Sequence, residues 1–386
     1  MDKVCVVTGT RADYGLLRPL LFKLRQNDDI DLQLVVTGSH LSEKFGNTQR
    51  EIQDDGFLNY VKMSIPIEND SKEGMAFSTG VALQKFAALL AKSKPDLLVV
   101  LGDRFEIFAA AAAAHMVGIP TAHISGGDVT EGAVDDAIRH CITKMSVLHF
   151  PGCEQSRKRI IQMGEQPDMV FNVGEPGVEN CLDQDLMTRA DLADNLQFGF
   201  IKGDYAVVTF HPVTMEYNTA EWQLQELIRA MEQMSDLGYI ITLANADAGG
   251  RLINEIWFRE GEKHTNWLVV PSLGLLRYLS AVKYAKLVVG NSSSGVVEAP
   301  AMHTPTINIG DRQKGRMMAE SIVCCEPRCK DIVEAMTTAL TDEFQKKAMR
   351  VASPFGDGTT SDRIMSYIKK FLDNKCYCKR FYDIDF

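Results

Sequence analysis

Lys286-Leu-Val-Val-Gly-Asn-Ser-Ser-Ser-Gly-Val-Val-Glu298 is the stretch on which the reading of this chain turns. The apolar run reads as a buried parallel strand. GNSSSG is a small polar turn, and a helix is expected from Gly295 to Ala301. Strand, turn and helix start together make an anion cradle, because backbone N–H groups and the helix dipole both favour negative charge there. Ser292, Ser293 and Ser294 add hydroxyl donors without bulk. Glu298 lies one turn further on, badly placed for a phosphate and well placed to accept hydrogen bonds from a ribose diol. The segment therefore suggests a nucleoside diphosphate. The plainer alternative is a serine N-cap followed by a solvated glutamate.

Working outward, strand and helix alternate almost throughout. Strands are expected at Val4–Val7, 32–36, Leu97–Leu101, 119–124, 147–150 and 170–173. Helices are expected at 14–25, 79–92, 105–116, 135–144 and 154–163. After GEPGVEN, taken as a linker, the alternation restarts. Strands are expected at 205–210, 239–243, Trp267–Val270, 287–289 and Thr306–Ile309, and helices at 220–234, 250–259, 273–281 and 295–301. Repeated βα units imply parallel, doubly wound sheets. The fold class expected is α/β, two Rossmann-like domains facing a cleft, of GT-B type. The expected domains are 1–174, carrying the catalytic carboxylates; 175–360, binding UDP; and 361–386, a helix and tail that pack back on the first domain. No G-x-G-x-x-G follows Val7 and no G-x-x-x-x-G-K-[ST] occurs, so neither a dinucleotide fingerprint nor a P-loop is present.

Composition narrows the field. The 386 residues favour two domains, and 45% hydrophobic with 24% charged residues is ordinary for a globular protein. A net charge of -10 argues against a nucleic-acid partner. No apolar run is read as a membrane span, and Met1-Asp2-Lys3 leads straight into a strand with no leader, so a cytoplasmic protein is expected. The 9 cysteines fit free thiols. Cys324, Cys325, Cys329, Cys376 and Cys378 follow no paired Cys-x-x-Cys spacing, and no metal is expected.

In open α/β sheets ligands sit beyond the carboxyl ends of the strands, and the unusual polar residues gather there. The first strand ends in TGTRADYG. Gly9 permits close backbone approach, and Arg11 can clamp a phosphate or pair with Asp13 at the surface. After Leu97–Leu101 comes Asp103, either poised for chemistry or capping the next helix. HISGGDVTEGAVDDAIRH, His123–His140, is a carboxylate-rich loop beside a glycine pair. Several carboxylates in one place split their pKa values and supply both an acid and a base; otherwise they decorate a helix start. His123 reads as a core histidine. In the second half His211 ends a strand, where an imidazole can assist a departing phosphate. Gly310–Arg316, with Arg312 among three cations, is a second anion contact or a basic turn. Asn245 and Asp247 end another strand.

Taken in order, TGTRADYG, GDRFE, HISGGDVTEGAVDDAIRH, FHPVT, GNSSSG with its Glu, and INIGDRQKGR resemble the hydrolysing UDP-N-acetylglucosamine 2-epimerases that begin sialic- and legionaminic-acid synthesis. The resemblance covers essentially the whole chain. It implies the two-domain GT-B fold, a homodimer or homotetramer, no cofactor, and UDP and a UDP-sugar as partners. The implied reaction removes the sugar C2 proton as UDP leaves, then hydrates the 2-acetamidoglucal to N-acetylmannosamine. Motif positions imply catalytic roles for Asp103 and Asp135, with His211 beside the leaving group. They imply UDP contacts at Gly9, Arg11, His211, Ser272, Gly290, Asn291, Ser292, Ser293, Ser294, Gly295, Glu298 and Arg312. Many relatives carry Glu where this chain has Ser125, and other members of the sialic- and legionaminic-acid branches vary there; a serine is no general base unaided, and Asp128 or Glu131 is expected to take over. The alternatives are UDP-N,N′-diacetylbacillosamine as substrate, a GT-B glycosyltransferase that releases UDP only to an acceptor, a binding module without turnover, and a non-hydrolysing epimerase.

Overall fold

The computed structural model describes residues 1–43, 47–67, 71–130, 134–212, 219–244, 250–374 and 379–384. Two compact units emerge, Met1–Asn180 with Gly358–Phe386, and Cys181–Asp357.

The first unit holds β1 (Asp2–Thr8), β2 (Ile30–Thr37), β3 (Val61–Met63), β4 (Leu97–Leu101), β5 (Thr121–Ile124) and β6 (Leu148–Phe150). They form one sheet in the order β3-β2-β1-β4-β5-β6, with every neighbour parallel. The second unit holds β7 (Tyr205–Thr209), β8 (Gly238–Thr242), β9 (Trp267–Val270), β10 (Leu287–Gly290), β11 (Thr306–Ile309) and β12 (Ile322–Cys325). Its order, β12-β11-β10-β7-β8-β9, repeats the first sheet's pattern, again all parallel. Both are the Rossmann order, which reverses direction beside its first strand.

Both faces of each sheet are buried, which explains the unbroken apolar runs. In β1, Val4 and Val6 enter one cluster, with the helix Arg11–Arg25 and the helix Thr360–Asp373. Cys5 and Val7 enter another, with the helices Lys72–Ser93 and Phe105–Val117. In β7, Ala206 and Val208 face one cluster and Tyr205 and Val207 the other.

Several local expectations need correction. β3 and β12 went unread because both are short edge strands and β12 has no fully buried residue. Residues 170–173 form no regular strand; Val170 makes an isolated bridge to His149. The helix expected from 79 begins at Lys72, where Ser71 Oγ accepts the Gly74 N–H at 3.0 Å. By length and composition this helix is apolar enough to cross a membrane, against the expectation of no such run. Ala82, Phe86 and Leu90 are fully buried in the core of the first unit. GEPGVEN, taken as a linker, opens the helix Pro176–Asp183.

The C-terminal helix belongs to the first unit. Ile364, Ile368 and Leu372 are buried in the β1 cluster, and Tyr367 stacks on Phe171 at 3.8 Å between ring centres. Beyond it Lys379 reaches Glu165 at 2.8 Å, beside His149 and Lys144. That cluster holds the Glu165 carboxyl at about 2 against the cost of burial.

Gly290 ends β10 at φ +140, and a Cβ there would overlap the Thr209 carbonyl of the adjacent strand. Gly290→Ala is therefore expected to destabilise the chain by about 1 to 3 kcal/mol. Urea unfolding checks this, and an unchanged midpoint would refute the close approach.

Candidate functional site

In the second unit the sheet reverses between β7 and β10, and the two strand ends are tied by one side chain. Asn291 is fully buried. Its Oδ1 accepts the His211 N–H at 2.7 Å and its Nδ2 donates to the His211 carbonyl at 2.8 Å. Its own carbonyl accepts from Arg312 Nη1 at 3.0 Å and Gln313 Nε2 at 2.9 Å. The amide side chain of Asn291 is thus spent on His211, which it fixes at the strand end with only 6% exposure. Arg312 is drawn to the same point. Ser292 caps the helix Ser293–Ala301, its Oγ accepting the Ser294 N–H at 3.4 Å. Ser293 is exposed and Ser294 half-buried, while Gly295 is buried against Thr306 and Val288. A capped helix start flanked by hydroxyls, an imidazole and a guanidinium is equipped for an anion.

Glu298 stands one turn along this helix. Burial raises its carboxyl, with its own backbone N–H, Ser294 and Arg316 opposing. Its side is partly open, so it can exchange solvent for hydroxyl donors. Ser272 is exposed and its Oγ accepts the Gly274 N–H at 3.1 Å, opening the helix Gly274–Tyr284.

In the first unit the sheet reverses between β1 and β4. Asp103 follows β4 and is paired with Arg139, which reaches it from the helix Val134–Met145. Arg139 is buried and also donates to the Asp128 carbonyl at 2.8 Å and Thr130 Oγ1 at 3.1 Å. One guanidinium therefore joins the β4 end to the loop after β5. Behind Asp103, His123 Nε2 donates to the Gly102 carbonyl at 2.8 Å, which leaves Nδ1 to accept from Thr143 Oγ1 at 3.1 Å. Burial pulls His123 down to about 3, so it is neutral and structural. Asp135, in the first turn of the helix, is exposed. Its carboxyl is raised by partial burial and by the charge of Asp103, against Arg104 and Arg139. Asp128 accepts a hydrogen bond from Ser156 Oγ. Glu131 lies outside the described residues, as do Asn245 and Asp247.

A layer of acids lies beneath the β1 end. Glu106, fully buried, pairs with Arg104 at 2.7 Å. A Cβ on Gly9 would overlap the Glu106 carboxylate, so the glycine makes room for that acid. Arg11 is largely exposed and pairs with Glu51 at 2.8 Å. Asp13, the partner weighed from sequence, is instead buried at the helix start. Asp13 Oδ2 and Glu106 Oε2 have no hydrogen-bond partner among the described residues.

Thus Asp103, Asp128 and Asp135 come together in the first unit. His211, Asn291, Ser292–Ser294 and Arg312 come together in the second. Sequence reading gave no role to Arg139, Glu106, Gln313 or Glu175. Arg139 carried a signal, a cation in the carboxylate-rich stretch after β5. Among the described residues no group of three or more His, Cys, Asp and Glu side chains is arranged to hold a metal ion.

Two Rossmann-like units, each with its polar residues gathered where the strand order reverses, define an α/β protein of GT-B type. A family model described as UDP-N-acetylglucosamine 2-epimerase matches residues 22–369. The chain belongs to that family. It is 38% identical to polysialic acid biosynthesis protein P7 of Escherichia coli, over 100% of this chain and 98% of that protein. It is 37% identical to the GDP/UDP-N,N′-diacetylbacillosamine 2-epimerase (hydrolyzing) of Campylobacter jejuni, over 89% of each. A solved UDP-GlcNAc 2-epimerase of Methanocaldococcus jannaschii, in complex with UDP-GlcNAc and UDP, has the same fold. It superposes with a TM-score of 0.75 at 21% identity, over 95% of this chain and 99% of that one.

Burial raises Asp13 from 3.8 to about 6, with the Glu106 charge adding and Arg104 and Thr10 opposing. Between those values the folded chain holds a proton that the unfolded chain has lost. The contribution of Asp13 to stability therefore grows as pH falls from about 6 toward about 4. Asp13→Asn is expected to flatten that slope and to add about 1 to 3 kcal/mol near neutral pH. Urea unfolding of both forms at acidic and neutral pH measures it; parallel profiles would rule it out.

Proposed function

We propose that this chain is a hydrolysing 2-epimerase that converts UDP-N-acetylglucosamine and water to N-acetylmannosamine and UDP. The observation that carries the reading is the acid array after β4 and β5. Asp103 is paired with Arg139, and Asp135 is raised by burial and by the charge of Asp103. Two neighbouring carboxyls in unlike surroundings divide into base and acid. In this reading Asp103 takes the weakly acidic C2 proton, and Asp135, Asp128 and Glu131 serve the proton transfers at the leaving group and the attacking water.

UDP departs with the electron pair of the C1–O bond, and its charge needs donors and cations. His211, held by Asn291, assists the diphosphate with Arg11, Arg312 and the serines of 292–294. Gly9, Gly290 and Gly295 keep the backbone close, Ser272 adds a hydroxyl, and Glu298 accepts the ribose diol. The scheme uses no redox cofactor. A cytoplasmic homo-oligomer is part of the same proposal, and light scattering of the purified chain reads the oligomeric state.

A second reading, with UDP-N,N′-diacetylbacillosamine as substrate, is favoured by the name of the 37% identical Campylobacter jejuni relative. Incubation with each UDP-sugar in deuterated water decides between them. The expected result is free UDP and a 2-epimerised free sugar carrying deuterium at C2, with no acceptor added. UDP release only with an acceptor would indicate a glycosyltransferase instead. Intact epimerised UDP-sugar would indicate a non-hydrolysing epimerase.

Asp103→Asn is expected to lower kcat by about 10²- to 10⁴-fold with UDP affinity retained; turnover at the wild-type rate would remove Asp103 from the chemistry. Glu298→Ala is expected to weaken UDP binding by about 1 to 3 kcal/mol, the cost of a lost buried partner. Unchanged calorimetric affinity would refute the ribose contact.

A further inference from the structure

Ser125 places a hydroxyl beside the Asp103 turn, at the position where the family resemblance implies a Glu in many relatives, and the fold brings a carboxylate to it. Strand register fixes the location. Leu101 of β4 pairs with Ile124 of β5, and Ile124 pairs with Phe150 of β6. Ser125 therefore lies just past the sheet, level with Gly102 and next to the Asp103 turn. It is held at φ +57, a conformation rare for a residue with a side chain. From there its Oγ donates to Glu175 Oε2 at 2.8 Å.

Glu175 arrives from 50 residues further along the chain, at the entrance to the helix Pro176–Asp183. Its seat is built. A Cβ on Gly152, just after β6, would overlap the Glu175 carboxylate, so only glycine leaves the space. Thr360 Oγ1 donates to the Glu175 carbonyl at 3.3 Å and fixes the turn. The side chain remains partly exposed at the strand ends. Asp128, the acid expected to replace the missing Glu, is engaged instead by Ser156. The Cys153 thiol is raised first by burial and then by the charges of both Asp128 and Glu175, so the two acids border one patch.

We infer that Glu175 is a catalytic carboxylate of this chain, presented through Ser125 beside the Asp103 turn. The inference rests on the 2-epimerase reading. Inverting C2 by elimination and hydration needs a proton removed from one face and another delivered to the opposite face, hence two carriers. In the elimination the C2–H bond breaks and its pair becomes the C1=C2 bond. The C1–O bond breaks and its pair leaves on UDP, while the proton passes to Asp103. Asp103 returns that proton to solvent, and in the hydration water oxygen bonds to C1 and its spare proton goes to the freed Asp103 carboxylate. The C1=C2 pair takes a proton at C2 from the protonated Glu175, which is then recharged from solvent. Ser125 orients the carboxylate and carries no net proton.

The test is Glu175→Gln in the full chain, assayed with both UDP-sugars in deuterated water. Formation of epimerised sugar is expected to fall by about 10²- to 10⁴-fold. UDP affinity and the thermal midpoint should stay at wild-type values, and the sugar released should shift toward 2-acetamidoglucal. Adding Ser125→Glu to Glu175→Gln should restore at least about tenfold of the loss by returning a carboxylate to the same place. Wild-type turnover by Glu175→Gln overturns the inference. So does a loss that Ser125→Glu leaves unrepaired and that comes with a lowered midpoint, which marks a structural residue. If the unaltered chain releases UDP without deuterium at C2, the epimerase reading itself fails and takes this inference with it.

Discussion

A parallel sheet covered by helices on both faces leaves polar side chains one outlet, the ends of its strands. That constraint shapes the whole molecule. β4 is buried at every position, as are β5, β7 and β10. Charge and hydrogen-bonding capacity are therefore expelled to the turns that follow. Where the strand order reverses, two such turns lie side by side with no crossing helix between them. Asp103 and the β1 turn occupy that place in one unit, His211 and Asn291 in the other. The location of the candidate sites follows from burial, before any residue's role is considered.

Each site is held rigid by one buried polar residue. Asn291 satisfies both backbone groups of His211 and gathers Arg312 and Gln313 on its own carbonyl. Arg139 does the same for Asp103, Asp128 and Thr130. Buried groups of this kind are costly unless fully partnered. Fully partnered, they hold a loop in one arrangement. Neither residue has to touch a ligand to matter, since each fixes the groups that would.

The sequence made the fold legible because both signals were strong. Apolar runs without alternation marked β1, β4, β7 and β10, and amphipathic periodicity marked the helix Arg11–Arg25 after β1. β3 and β12 escaped because these two edge strands are short and bury little, and so leave little pattern. Of the candidate sites, the strand, turn and helix start after β10 were legible because glycine, asparagine and serines are unusual immediately after an apolar run. The reason for Gly9 was not legible, since it depends on Glu106, nearly a hundred residues away. Glu175 was hidden for a different reason. Gly-Glu-Pro-Gly has the composition of a connector, and only the register of β5 and β6 brings its carboxylate to Ser125.

The chain closes its first unit with its last helix. Ile364, Ile368 and Leu372 fill the core that Val4 and Val6 begin, and Lys379 completes the ion cluster at Glu165. During synthesis, then, the earlier-made unit cannot seal its interior until the helix Thr360–Asp373 has left the ribosome. The middle half, whose sheet needs only residues 181–357, is free to fold first. A premature stop after it would strand an open hydrophobic groove on the opening half, a natural mark for chaperones and proteases.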